Sequence, residues 1–317
     1  MKKLMTICAV ITVIWAVSGA ASAAVSTFET FNTGVSVNGQ SGWTVEDAWG
    51  YDMSEGGWGT NLDEKVVDDG TGNKVWRISN AYAYNAYSSQ PFSPTAESVA
   101  GETGSSLWND RGPDHTNPYN PPHFGANATT NQFYSSFDFR SATGAAQSGL
   151  AITLSPSAKQ SSVRMSYLKI SDNGSTGFDL LFYDTSNGDQ DWNPTTVASG
   201  LSYSDWHSID MDVAFVDGVD NSGGQINGND VVKIYVDGSL EHTGTTWESY
   251  YYAEGEGVTE PRLQAVDSLL FRVTGTAAPA TLDNGFYFDN VEISNVPEPA
   301  TICLLGLGAL SLIRRKR

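Results

Sequence analysis

Val232-Lys233-Ile234-Tyr235-Val236-Asp237-Gly238 decides how this chain is built. Successive side chains of a strand point to opposite faces. Val232, Ile234 and Val236 therefore share a face that suits burial, while Lys233 and Tyr235 share the other. Asp-Gly tolerates the positive φ values of a two-residue hairpin turn, so this strand should fold back onto residues 240–243.

The same grammar recurs along the chain. In Phe137-Asp138-Phe139-Arg140 the two rings share one face and the charges the other. Val163-Arg164-Met165-Ser166-Tyr167 alternates in the same way, and Phe178, Leu180 and Phe182 share a face. Leu181 and Tyr183 lie opposite those three, which marks a strand covered on both sides. Period-two runs predict strands at 74–79, 132–140, 149–154, 162–171, 177–184, 206–215, 230–236, 268–274 and 285–293. Asp172-Asn173-Gly174 and Ser186-Asn187-Gly188-Asp189 supply turns between them. No internal segment keeps a 3.6-residue apolar period, and only 94–101 has room for a helical turn. The expectation is an all-β body of two stacked antiparallel sheets. Residues 101–131 and 217–229 read as long polar loops rather than strands.

The two ends follow different rules. Lys2 and Lys3, an apolar run at 4–17 and the small residues Ala21-Ser22-Ala23 form the three parts of a secretory leader cleaved after Ala23. At the other end Pro297-Glu298-Pro299 leads into an apolar stretch at 302–313 and then Arg314-Arg315-Lys316-Arg317. Twelve helical residues rise about 18 Å, short of a hydrocarbon core of about 30 Å. Such a segment suits a transient membrane stop that is later removed. The expected division is a leader at 1–23, one sandwich domain at 24–295 and a sorting segment at 296–317.

Trimming both ends removes six basic residues and one acidic residue, so the formal charge moves from −19 to −24. A field of that sign excludes nucleic acid and anionic membrane as natural partners of the body. Both cysteines, Cys8 and Cys303, lie in the ends, so the body has neither disulfides nor thiolate chemistry.

The order Pro-Glu-Pro, apolar stretch, basic end resembles the PEP-CTERM sorting tail of Gram-negative surface proteins. That resemblance implies export, a transient stay in the inner membrane and removal of the tail by an exosortase-type enzyme. It also implies delivery to the cell surface or extracellular matrix. The body resembles the concanavalin A-like or laminin-G-like jelly rolls. The resemblance rests on the Tyr235-Val236-Asp237-Gly238 turn, on Trp206-His207-Ser208-Ile209 and on the closing strand Phe286-Tyr287-Phe288-Asp289-Asn290-Val291. It implies a jelly-roll sandwich, in a group that holds lectins, glycan-binding modules, glycosidases, polysaccharide lyases and adhesion modules.

Chemistry must then be sought in side chains. Retaining and inverting glycosidases need two carboxylates held about 5–9 Å apart. The Glu-x-Asp-x-x-Glu and Glu-x-Asp-x-Glu patterns that would place such a pair on one strand do not occur. Neither do a Gly-x-Ser-x-Gly elbow, a His-Glu-x-x-His pair or a phosphate loop. Arg77, Arg140, Arg164 and Arg272 sit at outward strand positions, where they would line one cationic groove for an acidic glycan or pair with nearby Asp and Glu. The loop aromatics Trp108, Tyr119, Trp247, Tyr250 and Tyr251 offer flat faces for a pyranose ring or a cap for the sandwich edge. Asp217, Asp220, Asn227, Asn229 and Asp230 gather oxygen donors in one glycine-rich loop, which reads either as a calcium site or as a polar hairpin turn. These features read best as a non-catalytic carbohydrate-binding or adhesive surface module. A lyase or hydrolase on the same fold, and a purely structural matrix protein, are the alternatives.

Overall fold

The computed structural model describes residues 23–46, 62–82, 90–94, 107–108, 132–147, 149–158, 163–174, 176–184, 194–214, 230–247, 265–266 and 268–294. The sorting segment and the expected leader, but for Ala23, lie outside these residues.

The chain forms β1 (Ala23–Ser26), β2 (Thr44–Glu46), β3 (Glu64–Asp68), β4 (Lys74–Ile78), β5 (Gln90–Phe92), β6 (Leu107–Trp108), β7 (Gln132–Ser141), β8 (Leu150–Ala158) and β9 (Val163–Arg164). It continues through β10 (Tyr167–Asp172), β11 (Phe178–Tyr183), β12 (Thr195–Leu201), β13 (His207–Ala214), β14 (Val231–Val236), β15 (Ser239–Gly244), β16 (Ala265–Val266), β17 (Ser268–Gly275) and β18 (Phe286–Ser294). One sheet runs β15-β14-β13-β7-β18-β4-β3, with β1 also on β18. The facing sheet runs β12-β11-β10-β8-β17-β5-β2, with β9 also on β8. Every strand pairing among the described residues is antiparallel, so the body is a jelly-roll-like sandwich.

All nine expected strands form. The run at 162–171 breaks into β9 and β10, because Met165 and Ser166 leave the ladder between them. The stretch 101–131, expected to hold no strand, contributes β6, whose Leu107 and Trp108 pair with Val266 and Ala265. Asp237 and Gly238 take φ of 50° and 79°, as the hairpin turn requires. The Asp237 carboxylate also accepts from the Ser208 N–H at 2.9 Å and lies 3.0 Å from His207 Nδ1, so the turn fastens the start of β13. His207 is thereby structural.

Between the sheets lies an aromatic core. Trp76 of β4 meets Phe271 of β17 and Trp43 edge-on, each at 4.9 Å between ring centroids, and Phe288 of β18 packs 5.5 Å from Phe271. Gly285 lets β18 approach β4: a Cβ there would stand 2.0 Å from the Ile78 carbonyl oxygen.

One carboxylate shares this core. Glu64 accepts from Trp76 Nε1 at 2.8 Å and from the Val37 N–H at 3.2 Å. Burial pushes its carboxyl from 4.5 up to about 7, against the lowering effect of these hydrogen bonds. The folded state therefore holds a proton that the unfolded chain releases near its ordinary value. Stability from this group is complete below that value and falls by about 3 kcal/mol as pH rises to 7. Thermal melts from pH 4.5 to 8 should show the decline, and Glu64→Gln should flatten it.

Candidate functional site

The four strand arginines do not line one groove. Arg77 and Arg140 belong to β4 and β7 of the first sheet, Arg164 and Arg272 to β9 and β17 of the second. Alternation does turn each away from the core. The core lies between the sheets, however, so outward means opposite surfaces of the molecule.

On the first sheet the register sets Lys65, Arg77, Tyr287 and Arg140 in one transverse row. Acids neutralise this row. Arg77 is 2% exposed, and its guanidinium donates to Asp63 and, at 3.0 Å, to Asp283. Asp63 also accepts from Ser79 Oγ at 2.7 Å and from the Asp283 N–H at 3.1 Å. Arg140 donates to Asp69 at 3.2 Å and lies between the Trp206 and Tyr287 rings, 4.9 and 5.3 Å from their centroids. Arg77 and Arg140 are thus structural cations rather than ligand contacts. Breaking a buried pair strands a charge and costs about 3–5 kcal/mol. Arg77→Ala should therefore destabilise the fold by that amount in urea melts.

The second sheet differs. On its outer face β17, β8, β10 and β11 align Arg272, Thr153, Lys169 and Leu181 in one row. Tyr167 pairs with Tyr183 in the adjacent row, their rings 4.3 Å apart. Trp247 meets Tyr167 edge-on at 5.3 Å and donates its indole N–H to the Tyr183 carbonyl at 3.0 Å. The Arg164 guanidinium lies 5.9 Å from the centre of the Trp247 ring. Burial, then the neighbouring Tyr183, pushes the Tyr167 hydroxyl up to about 12, while Arg164 and Arg272 pull it down. Both guanidinium groups therefore bear on the same phenol.

Three cations, Arg164, Lys169 and Arg272, and three aromatics, Tyr167, Tyr183 and Trp247, thus belong to this side of the sandwich. Arg164, Arg272 and Trp247 were legible in the sequence. Tyr167, Lys169 and Tyr183 were not singled out, although Tyr167-Leu168-Lys169 alternates onto one face and carried the signal. Trp247 is 4% exposed, so it caps the sheet more than it offers a free platform. Trp108 is placed in β6, while Tyr119, Tyr250 and Tyr251 lie outside the described residues.

The calcium loop is represented only by Asp230, since Asp217, Asp220, Asn227 and Asn229 lie outside the described residues. The Asp230 carboxylate is buried and accepts from the Thr246 hydroxyl. Among the described residues no group of three or more His, Cys, Asp or Glu is placed to hold a metal ion.

Comparison with known proteins adds a sorting signal and distant shapes. No curated protein sequence matches the chain. Among solved structures, a sialidase aligns over 87% of this chain with 9% identity and a TM-score of 0.43, and the chain spans 19% of that protein. Alginate lyase Aly36B aligns over 86% of this chain and 96% of its own, at 9% identity and a TM-score of 0.42. An alginate lyase of a Chlorella virus aligns over 83% and 99%, at 11% identity and 0.40. Similarity at this level says nothing of chemistry. The PEP-CTERM protein-sorting motif matches residues 295–317, so the chain is an exported, surface-sorted protein carrying that motif behind an all-β body.

Proposed function

We propose that this protein is a non-catalytic carbohydrate-binding or adhesive module of the cell surface, taking acidic glycans on the outer face of the second sheet. A leader cleaved after Ala23 and removal of the tail by an exosortase-type enzyme complete the proposal. The observation that carries the binding reading is the Arg164 guanidinium against the Trp247 ring, beside the Tyr167–Tyr183 pair, with Lys169 and Arg272 in the adjacent row. Guanidinium groups pair with carboxylates or sulfates, and aromatic edges and faces accept the apolar side of a sugar ring. In a body of net charge −24 such a cluster gives local selectivity for an anion that the overall field repels.

A lyase on the same face is the second reading, favoured by Tyr167 and Lys169 lying on neighbouring rows. A tyrosine base works best with its pKa near the working pH. A Tyr167 hydroxyl held near 12 instead favours a hydrogen-bonding role.

A glycan array on the exported body, with and without calcium, tests the reading. Uronate or sulfate-bearing glycans should bind, and Arg164→Ala or Trp247→Ala should weaken binding about tenfold or more. Release of unsaturated uronate ends would establish the lyase. An array without hits would leave a structural matrix protein.

A further inference from the structure

The sorting motif begins at residue 295, directly after the last residue of β18. Ser294 pairs with Tyr134 of β7 and with Ala23, the last residue of the expected leader, and is 2% exposed; once the leader is cut, Ile293 is the last residue clasped on both sides, by Ala24 and by Ser135. Ile293 beside it belongs to the core at 1% exposure. Three residue steps separate Ser294 from Pro297, a reach of about 11 Å at full extension. Any enzyme that grips Pro297-Glu298-Pro299 therefore comes within about 11 Å of the end of the sandwich.

Peeling β18 back would lengthen that reach, but it would bare Ile293 and break ladders on two sides. The folded end is the easier substrate. We infer that the tail-removing membrane enzyme docks against this end of the first sheet and reads the folded body together with the motif. The surface is the outward row on which β18 ends, one outward row inside the rim row of Gln132, Ala214 and Val231; in it the register aligns Ser294, Tyr134, Asp212 and Lys233. The partner is a membrane-embedded peptidase whose external rim meets that polar row. β1 serves the same contact by clasping β18 from its other side. With the leader cut after Ala23, Ala24–Ser26 would remain as the clasp.

The inference rests on the sorting motif and is independent of glycan binding. Two full-length variants test it in a host containing the processing enzyme, with Cys303→Ser throughout and the ratio of tail-bearing to tail-free protein read by mass. The first places ten Gly/Ser residues between Asn295 and Val296, separating the motif from the body. Tail removal should slow fivefold or more; an unchanged or faster rate would overturn the inference. The second, Val25→Cys with Glu292→Cys, joins register partners of β1 and β18 by a disulfide. Directly opposed antiparallel residues stand about 4.5–5.5 Å apart at Cα, within disulfide range. The clamped protein should be processed at the normal rate. Slower removal, restored by reduction, would mean that β18 has to open and would also overturn the inference. Melting temperatures of the purified variants verify that each has folded.

Discussion

The contact between Trp76 and Phe271 is the constraint on which the remaining structure depends. One ring comes from β4 and the other from β17, so their edge-on meeting fixes the two sheets face to face. Phe288 and Trp43 complete the cluster from two further strands or turns. Buried rings of this size are worth about 3–5 kcal/mol each against alanine, and a cysteine-free body has no covalent substitute for them. The indole nitrogens must still be satisfied inside this core. Trp43 donates to Ser26 of β1 at 2.8 Å, and Trp76 donates to Glu64. The aromatic core thus dictates a buried carboxyl on β3 and gives the short strand β1 a specific anchor.

Short acidic side chains do the corresponding work at the periphery. Asp63 gathers Arg77, Ser79 and the Asp283 backbone into one network, and Asp237 ties a hairpin turn to β13. Part of the large acidic excess is therefore structural: these carboxylates accept from backbone N–H groups and buried cations that the sheets leave unserved. The remainder keeps the exported body soluble through like-charge repulsion.

The strands were legible because alternation is a local property, and it named buried residues of β7, β11 and β14 one by one. Most elements it missed are short: β1, β2, β3, β5, β6 and β16 have two to five residues, too few for a period to declare itself, while the seven-residue edge strand β12 buries only Val197 and so shows no apolar alternation. Arginine orientation was legible for the same reason, since Arg77, Arg140, Arg164 and Arg272 all sit opposite core residues. Which sheet each belongs to was not. Sheet membership depends on long-range pairing, such as that of β17 with β8 across more than a hundred residues, and no local pattern encodes it. The burial of Trp247 was hidden likewise, because its partner Tyr183 is brought near only by folding.

That difference in sheet membership gives the two arginine pairs different neighbours. On the first sheet Asp63 and Asp283 pair with Arg77, and Asp69 pairs with Arg140, within the fold. Replacing either would be felt as stability. On the second sheet the Arg164 guanidinium lies against the Trp247 ring, and Arg272, itself buried, shares a row with Thr153, Lys169 and Leu181. All four arginines obey the same outward alternation, so their local sequence is alike. The neighbours that folding brings to them differ: carboxylates from distant turns beside Arg77 and Arg140, and an indole face from a distant turn beside Arg164.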